Sequence, residues 1–294
     1  MNWINSIVHG ILLGGFYALL ATGLSLMFGV MRIINLAHGS LALVGAYVAY
    51  SLTQAAGISP YLALLPIVGG ALVVGYVLQR TLLERSLRAG VLVPLLTTFG
   101  LSIIIGNLLL KIYSPDVHSL DPGKIGSSSW RISADLSIPA FDALILGVAI
   151  VVLGGLQLFL SYTQMGRELR ATAEDPDTAE LVGIDSRAVY ARATAIAVAT
   201  AALAGVFFGM RTTFDPSSGP TQLIYAFEAV VIGGIGSLWG TLVGGIVLGI
   251  AQTIGAQVDP QYFALFGHLV FLAVLVARAL AEGGRIGAVR RAMV

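Results

Sequence analysis

The sequence predicts an all-α integral membrane protein of about 8 transmembrane segments, one of them broken or re-entrant, with a short coupling-type helix in a cytoplasmic loop. Two observations carry this. Of 294 residues, 57% are hydrophobic and only 11% charged, against roughly 25% charged in a soluble domain; mean hydropathy is +0.90. Residues 1–31, 33–79, 89–110 and 229–258 contain no Asp, Glu, Lys or Arg. About 20 apolar residues suffice to cross a ~30 Å hydrocarbon layer, and every one of these runs is that long.

Apolar segments lie at 4–30, 34–53, 61–79, 90–112, 139–161, 190–212, 221–256 and 261–280. Charge sorts the connections. Arg80, Arg85 and Arg88 outnumber Glu84 in the 80–88 loop; Arg167, Arg170, Arg187 and Arg192 mark 162–192; Arg278, Arg285, Arg290 and Arg291 mark the tail. Positive loops stay inside, so these three are expected in the cytoplasm. The 113–138 loop, with Asp116, Asp121, Lys124, Arg131 and Asp135, is expected in the periplasm. The same alternation puts the N-terminus outside and the C-terminus inside. No Lys or Arg precedes the first apolar stretch, which runs for about 27 residues, so it reads as a span and not as a cleaved signal peptide.

The alternation also requires 221–256 to enter the membrane and return. Its centre, Gly233-Gly234-Ile235-Gly236-Ser237-Leu238-Trp239-Gly240, predicts a break between two helical arms. Irregular backbone at membrane depth is tolerated only where protein or a water-lined cavity covers it. A faint internal repeat places Gly39-Ser40-Leu41 about 200 residues before Gly240-Thr241-Leu242, a pattern common in transporters. The whole chain, 1–294, reads as one transmembrane domain.

Small residues recur at helix-packing spacing: Gly236, Gly240 and Gly244, and Gly10, Gly14 and Ala18. They read as close helix packing, or as a gate or subunit seam. Polar residues inside apolar segments are the candidates for a solute pathway. Glu228 is one, because a carboxylate in a span usually faces a cavity or a partner; the alternative is a position near the outer interface. Asn35, His38 and Ser40 cluster beside Arg32, either lining a pathway or at the cytoplasmic interface. Asn107 and Gln157 read as interhelical hydrogen-bonding groups. His9, His118 and His268 are isolated, without metal-ligand spacing.

The loop at 162–190 encodes its own helix. Asp175 suits an N-cap, Pro176 the first helical position and Gly183 the C-terminal stop, while Asp177 and Glu180 lie toward the positive end of the dipole. A second helix is expected from Arg167 to Glu174. A loop of about 28 residues with its own capped helices is more than a connector, and it reads as a docking element for a cytoplasmic partner. Net charge is +1 and no basic patch with interleaved aromatics is present, which argues against nucleic acid. The chain has no cysteine, hence no disulfide or thiolate metal site. It carries no GxxxxGK[ST] phosphate loop, no HExxH and no GxSxG. It therefore has no ATP site of the P-loop kind, and no cofactor is expected.

GRELRATAEDPDTAELVGI followed by AIAVATAALAGVFFG resembles the inner-membrane permeases of branched-chain amino-acid ABC transporters. The N-terminal GILLGGFYALLATGLSLMFGVMRIINLAHGSLALVGAY and the later AFEAVVIGGIGSLWGTLVGG are similar to the same family, in the same order. The resemblance implies a second related permease, two cytoplasmic ATP-binding subunits and a periplasmic solute-binding protein as partners, all in or at a bacterial inner membrane. It also implies that Ala173, Glu174, Asp175, Pro176 and Gly183 belong to the element that couples ATP hydrolysis to transport. Relatives carry leucine, isoleucine and valine, or amides, urea or aromatic acids. A self-contained secondary transporter or channel is the competing reading; it needs an ion-coupling carboxylate, for which Glu228 and Asp142 are the candidates. An intramembrane enzyme lacks a catalytic pair.

Overall fold

The computed structural model describes residues 3–87, 89–90, 92–131 and 136–292, with side chains as far as 281. Arg88, Asp135, Arg285, Arg290 and Arg291, which entered the charge argument, lie outside the described side chains. The elements are α1 (Trp3–Met31), α2 (His38–Ala56), α3 (Pro60–Leu78), α4 (Glu84–Leu87), α5 (Leu92–Tyr113), α6 (Ala140–Tyr162), α7 (Gln164–Glu174), α8 (Pro176–Leu181), α9 (Ser186–Arg211), α10 (Gly219–Gly233), α11 (Leu238–Val258) and α12 (Phe263–Ala292). A π-helical turn, Gln79–Leu83, joins α3 to α4. Strands β1 (Ser129–Arg131) and β2 (Ser137–Pro139) pair antiparallel between α5 and α6.

Seven stretches among the described residues are long and apolar enough to span: α1, Pro60–Leu87, α5, α6, α9, α11 and Pro260–Ala281. The expected eighth, 34–53, is α2, whose His38, Ser40, Ser51, Thr53 and Gln54 dilute its hydropathy. The segment 221–256 is interrupted as expected. α10 has 15 residues, about 22 Å of helix, too short for a ~30 Å core. The break itself lies at one end of the bundle. Residues 234–237 form a turn with left-handed Gly234 and Gly236 (φ 101° and 80°), and Gly236 lies against Gly29 near the end of α1. That is the end of the bundle carrying α7: Gly29, Gly236, Arg170 and Ala173 line one 340 Å³ cavity.

The centre of the bundle is α1 and α9. In each, 89% of the apolar window is buried, against 22% for α6, 17% for α5 and 6% for Pro260–Ala281. Lipid gives helices no hydrophobic reason to associate, so close backbone approach does the work. A Cβ on Gly14 would stand 2.3 Å from Ile246 Cα, and one on Gly10 2.5 Å from Ile250 Cα, so α1 and α11 touch along their backbones. Gly240 and Gly244 do the same for the α10–α11 hairpin, facing Gly233 O and Ala229 O at 2.2 and 2.1 Å. Gly240 and Gly244 thus stand where the two backbones approach each other. Gly236 instead belongs to the turn, where positive φ is the requirement.

The packing order repeats. α2 and α3 pack on α9 as α10 and α11 pack on α1. The second set starts about 180 residues later (186 against 3, 219 against 38, 238 against 60). The repeat expected at an offset of about 200 therefore falls in a different register, one that pairs Gly39 with Gly219 and not with Gly240.

Candidate translocation and coupling sites

The two half-buried helices α2 and α10 start alike. Asn35 Oδ1 accepts from Ala37 N (3.0 Å) and Asn35 O from His38 N (3.1 Å). One repeat later, Asp215 Oδ1 accepts from Ser217 N (2.7 Å) and Asp215 O from Ser218 N (3.1 Å). Each is an Asx turn that aims a helix N-terminus inward. The two N-termini meet: a Cβ on Gly39 would stand 2.1 Å from Gly219 O. α2 begins beside the middle of α1, where His38 Nε2 bonds Leu20 O at 2.8 Å.

This geometry separates the sequence candidates. Asn35 and His38 are fully buried. Asn35 turns the chain, and its Nδ2 lies 3.7 Å from Met27 Sδ. His38 fixes α2 to α1, and its Nδ1 has no partner among the described residues. Ser40 does reach a cavity. Its hydroxyl bonds Ser102 of α5 at 2.8 Å, and both line a space of 340 Å³ with Asn107, Ser217, Pro216 and Pro220. None of the lining residues is charged. The outer rim is apolar: Phe99, Ile103 and Leu110 of α5 are exposed. Ser102 and Ser217 escape sequence reasoning because single serines in apolar or loop segments carry no local signal. Asn107, expected to bridge helices, bonds Ile103 O of its own helix.

Glu228 sits apart from this cavity. It lies inside α10, 3% exposed, and pairs with His268 Nδ1 at 2.5 Å; its Oε2 has no partner among the described residues. Glu228 is therefore a buried residue with a side-chain partner, and His268 is not isolated. The sequence missed the pair because 40 positions separate its members. Asp142 opens α6 and pairs with Arg211 at 2.8 Å.

The cytoplasmic-type loop folds as its caps dictate. Asp175 ends α7 and starts α8, its Oδ1 accepting from Asp177 N (3.1 Å) and Thr178 N (3.2 Å) while Thr178 Oγ1 donates to Oδ2 (2.6 Å). The Thr178 hydroxyl, then the backbone amides, hold the Asp175 carboxyl below its ordinary range. Pro176 occupies the first turn and Gly183 the left-handed stop (φ 88°). Glu168 anchors α7 to Arg192 of α9 at 2.8 Å. Ala173 lines the cavity beneath, and Glu174 closes α7. At the tip, Leu181 and Val182 are 86% and 74% exposed. Two bare aliphatic side chains thus stand side by side at the end of a short capped helix. Sequence reasoning had picked the caps and passed over the side chains they present.

This cavity of hydroxyls, one amide and apolar walls lies in a chain with seven stretches long and apolar enough to span a membrane among its described residues, the architecture of a multi-pass membrane transport subunit. The chain belongs to the family described as branched-chain amino acid transport system / permease component, which it matches over residues 6–277. It is similar to the high-affinity branched-chain amino acid transport system permease protein BraD of Pseudomonas aeruginosa, 34% identical over 97% of this chain and 96% of that one. It is also similar to the LivH permeases of Salmonella typhimurium and Escherichia coli K12, each 32% identical over 97% of this chain and 96% of the relative. No solved structure matches it. Permeases of this family work with other components of ABC transporters, and the chain is a multi-pass inner-membrane protein.

Proposed function

We propose that this chain is one of two related permease subunits of an ABC importer for branched-chain amino acids. Two cytoplasmic ATP-binding subunits drive it, and a periplasmic binding protein delivers the solute. α7 and α8 lie on the cytoplasmic side and the 113–138 loop on the periplasmic side, with the N-terminus periplasmic and the C-terminus cytoplasmic. The observation that carries the reading is the α8 tip. Asp175, Pro176 and Gly183 fix a six-residue helix that presents Leu181 and Val182 to a partner, next to Ala173 and Glu174. The names of the similar proteins support the solute class. The uncharged cavity at Ser40, Ser102, Asn107 and Ser217 supports a route whose contacts are weak, with selectivity delegated to the binding protein. The apolar rim on α5 supports a second permease covering that cavity.

Copurification with an ATP-binding subunit tests the assembly. Gly183→Val penalises the left-handed stop by ~1 kcal/mol or more, and Leu181→Asp puts a charge into the contact. Both are expected to insert normally, to lose most partner retention, and to lose uptake and ATPase stimulation together. Wild-type uptake in both variants would overturn the coupling role.

A further inference from the structure

A groove of 200 Å³ lies between α2, α3 and α9, and none of its lining residues has a polar side chain. Val48 and Val74 line it and are exposed, so it opens on the outside of the bundle. Gly70 lines it too, and a Cβ there would meet no atom within 4 Å. Pro66, Gly70, Val73, Val77 and Arg80 follow at i, i+4, i+7, i+11 and i+14, which is one face of a helix. The first two line the groove, Val73 and Val77 are exposed, and Arg80 ends the stripe in the π-helical turn. α9 is arranged likewise: Arg187, Val198 and Ala202 share a face at i, i+11 and i+15, and the last two line the groove. The two arginines converge on one carboxylate. Arg80 Nη1 lies 3.4 Å from Glu84 Oε2, and Arg187 Nε lies 3.6 Å from Glu84 Oε1. The trio is net positive, and both arginine side chains remain exposed, at 38% and 58%.

We propose that this seam binds one anionic phospholipid, its phosphate on Arg80 and Arg187 and one acyl chain running along Val77 and Val73 into the groove. Length supports the pairing. At 1.5 Å per residue the groove lies roughly 9–21 Å from Arg80 along α3 and roughly 16–22 Å from Arg187 along α9. Half of a ~30 Å hydrocarbon core is ~15 Å, so a lipid whose phosphate meets the arginines brings its chain end to the groove. Charge supports an anionic headgroup over a zwitterionic one. Two guanidiniums share a single carboxylate, their planar forks match phosphate oxygens, and basic pockets at the ends of membrane helices hold anionic headgroups. A wholly aliphatic groove at that depth offers nothing to a polar solute and dispersion contact to a methylene chain. The site requires that α3 and α9 span the membrane; it does not depend on which of their ends faces the cytoplasm, nor on the solute carried.

The test is lipid binding to the full chain, with the subunits that copurify, in detergent by native mass spectrometry. The probes are palmitoyl-oleoyl phosphatidylglycerol, phosphatidylcholine with the same chains, and dihexanoyl phosphatidylglycerol, whose chains are too short to reach the groove. Long-chain phosphatidylglycerol is expected to bind at least about 10-fold more tightly than the phosphatidylcholine, and the preference should shrink with added salt. Arg80→Gln with Arg187→Gln is expected to abolish the preference. Gly70→Leu fills the groove from a position where a side chain meets no clash. It is expected to weaken long-chain phosphatidylglycerol about 5-fold or more, an order-of-magnitude figure for a lost aliphatic seat, and to leave the dihexanoyl form unchanged. Equal binding of the two long-chain lipids by the wild type overturns the site, and so does a preference that survives the double arginine change; the aliphatic face would then serve bulk lipid or a protein partner. Unchanged long-chain binding in Gly70→Leu, or dihexanoyl binding as tight as the long-chain form, overturns the acyl seat and leaves the arginines holding a phosphate alone. None of these outcomes bears on the importer reading, which stands or falls with the copurifying ATP-binding subunit.

Discussion

The starts of α2 and α10 are the same turn built twice with different chemistry. Asn35 and Asp215 each accept an amide two residues on, but the first is fully buried and the second partly exposed. The buried copy uses a neutral amide and the partly exposed copy a carboxylate. Desolvation explains the choice, because a buried charge without a partner is expensive while a buried amide needs only its hydrogen bonds. The backbone geometry of a repeat is thus kept while its side chains follow local access to water. The first copy is buried scaffold, and the second brings Ser217 to the serine cavity.

Exchanging the two chemistries should break this pairing most severely. Asn35→Asp buries a carboxylate that faces Met27 Sδ and the Leu20–His38 contact, where no cation lies in the observed bonds. It is expected to cost about 3–5 kcal/mol, read as a large fall in thermal midpoint in detergent and in the inserted amount. Asp215→Asn keeps the turn and is expected to stay within about 0.5 kcal/mol of wild type. Equal effects of the two swaps would mean that burial does not set the residue type.

The glycines at the meeting point give the next effect. A Cβ at position 39 meets Gly219 O and Leu223 N, both backbone, at 2.1 and 2.8 Å. At position 219 it meets Ser40 Oγ, Cα and N at 3.0–3.2 Å. Gly39→Ala is expected to cost about 1–3 kcal/mol and Gly219→Ala less, by thermal unfolding. A reversal of that order would show that α10, not α2, is the fixed partner.

Much of this was legible in sequence, and the limits have physical causes. Hydropathy, charge asymmetry and the Gly233–Gly240 run predict the spans and the interruption. Asp175, Pro176 and Gly183 predict α8 because capping is local. The register of the repeat was not legible: Asn35 and Asp215 do the same job with different letters, and Gly39 matches Gly219 in isolation. Nor were the Ser40–Ser102 and Glu228–His268 contacts, which join residues 62 and 40 positions apart. For Asn35 and His38 the sequence leaves a pathway and an interface position both open, because it shows polarity but not which way a buried side chain faces.

Glu228 sharpens the comparison further, because it has no counterpart in the first copy. The equivalent position, one repeat earlier, is Val48, 40% exposed. The second copy thus carries a carboxylate that the first lacks, joined to His268 and outside the lining of the serine cavity. Glu228→Gln keeps the shape and one acceptor. It is expected to reduce uptake two- to three-fold, about 0.5 kcal/mol, with no change in which solutes compete. Loss of a proton dependence of uptake would instead assign it an ion-coupling role.

The smallest effect concerns a third Asx cap, Asp175, which lies outside the bundle and shows what a solvated carboxylate does in that geometry. Its bonds from the Thr178 hydroxyl and from the amides of Thr178 and Asp177 favour the charged form, so its folded pKa lies below the unfolded value. A depressed carboxylate contributes stability that is fully present above the unfolded pKa, about 3.9, and is lost as pH falls through the folded pKa. α8 should therefore keep its order from pH 7.5 to about 5 and loosen only below about 4. The chain has no cysteine, so a single one at Glu180 can carry a spin label whose mobility reports the helix. Flat mobility to about pH 5 is expected in the wild type. Asp175→Asn retains a good cap and should remove the acid transition, whereas Asp175→Ala should be mobile at every pH. A label already loosening between pH 6 and 5 would mean that some other group holds α8, and that its Asx cap does not depend on the Asp175 carboxylate.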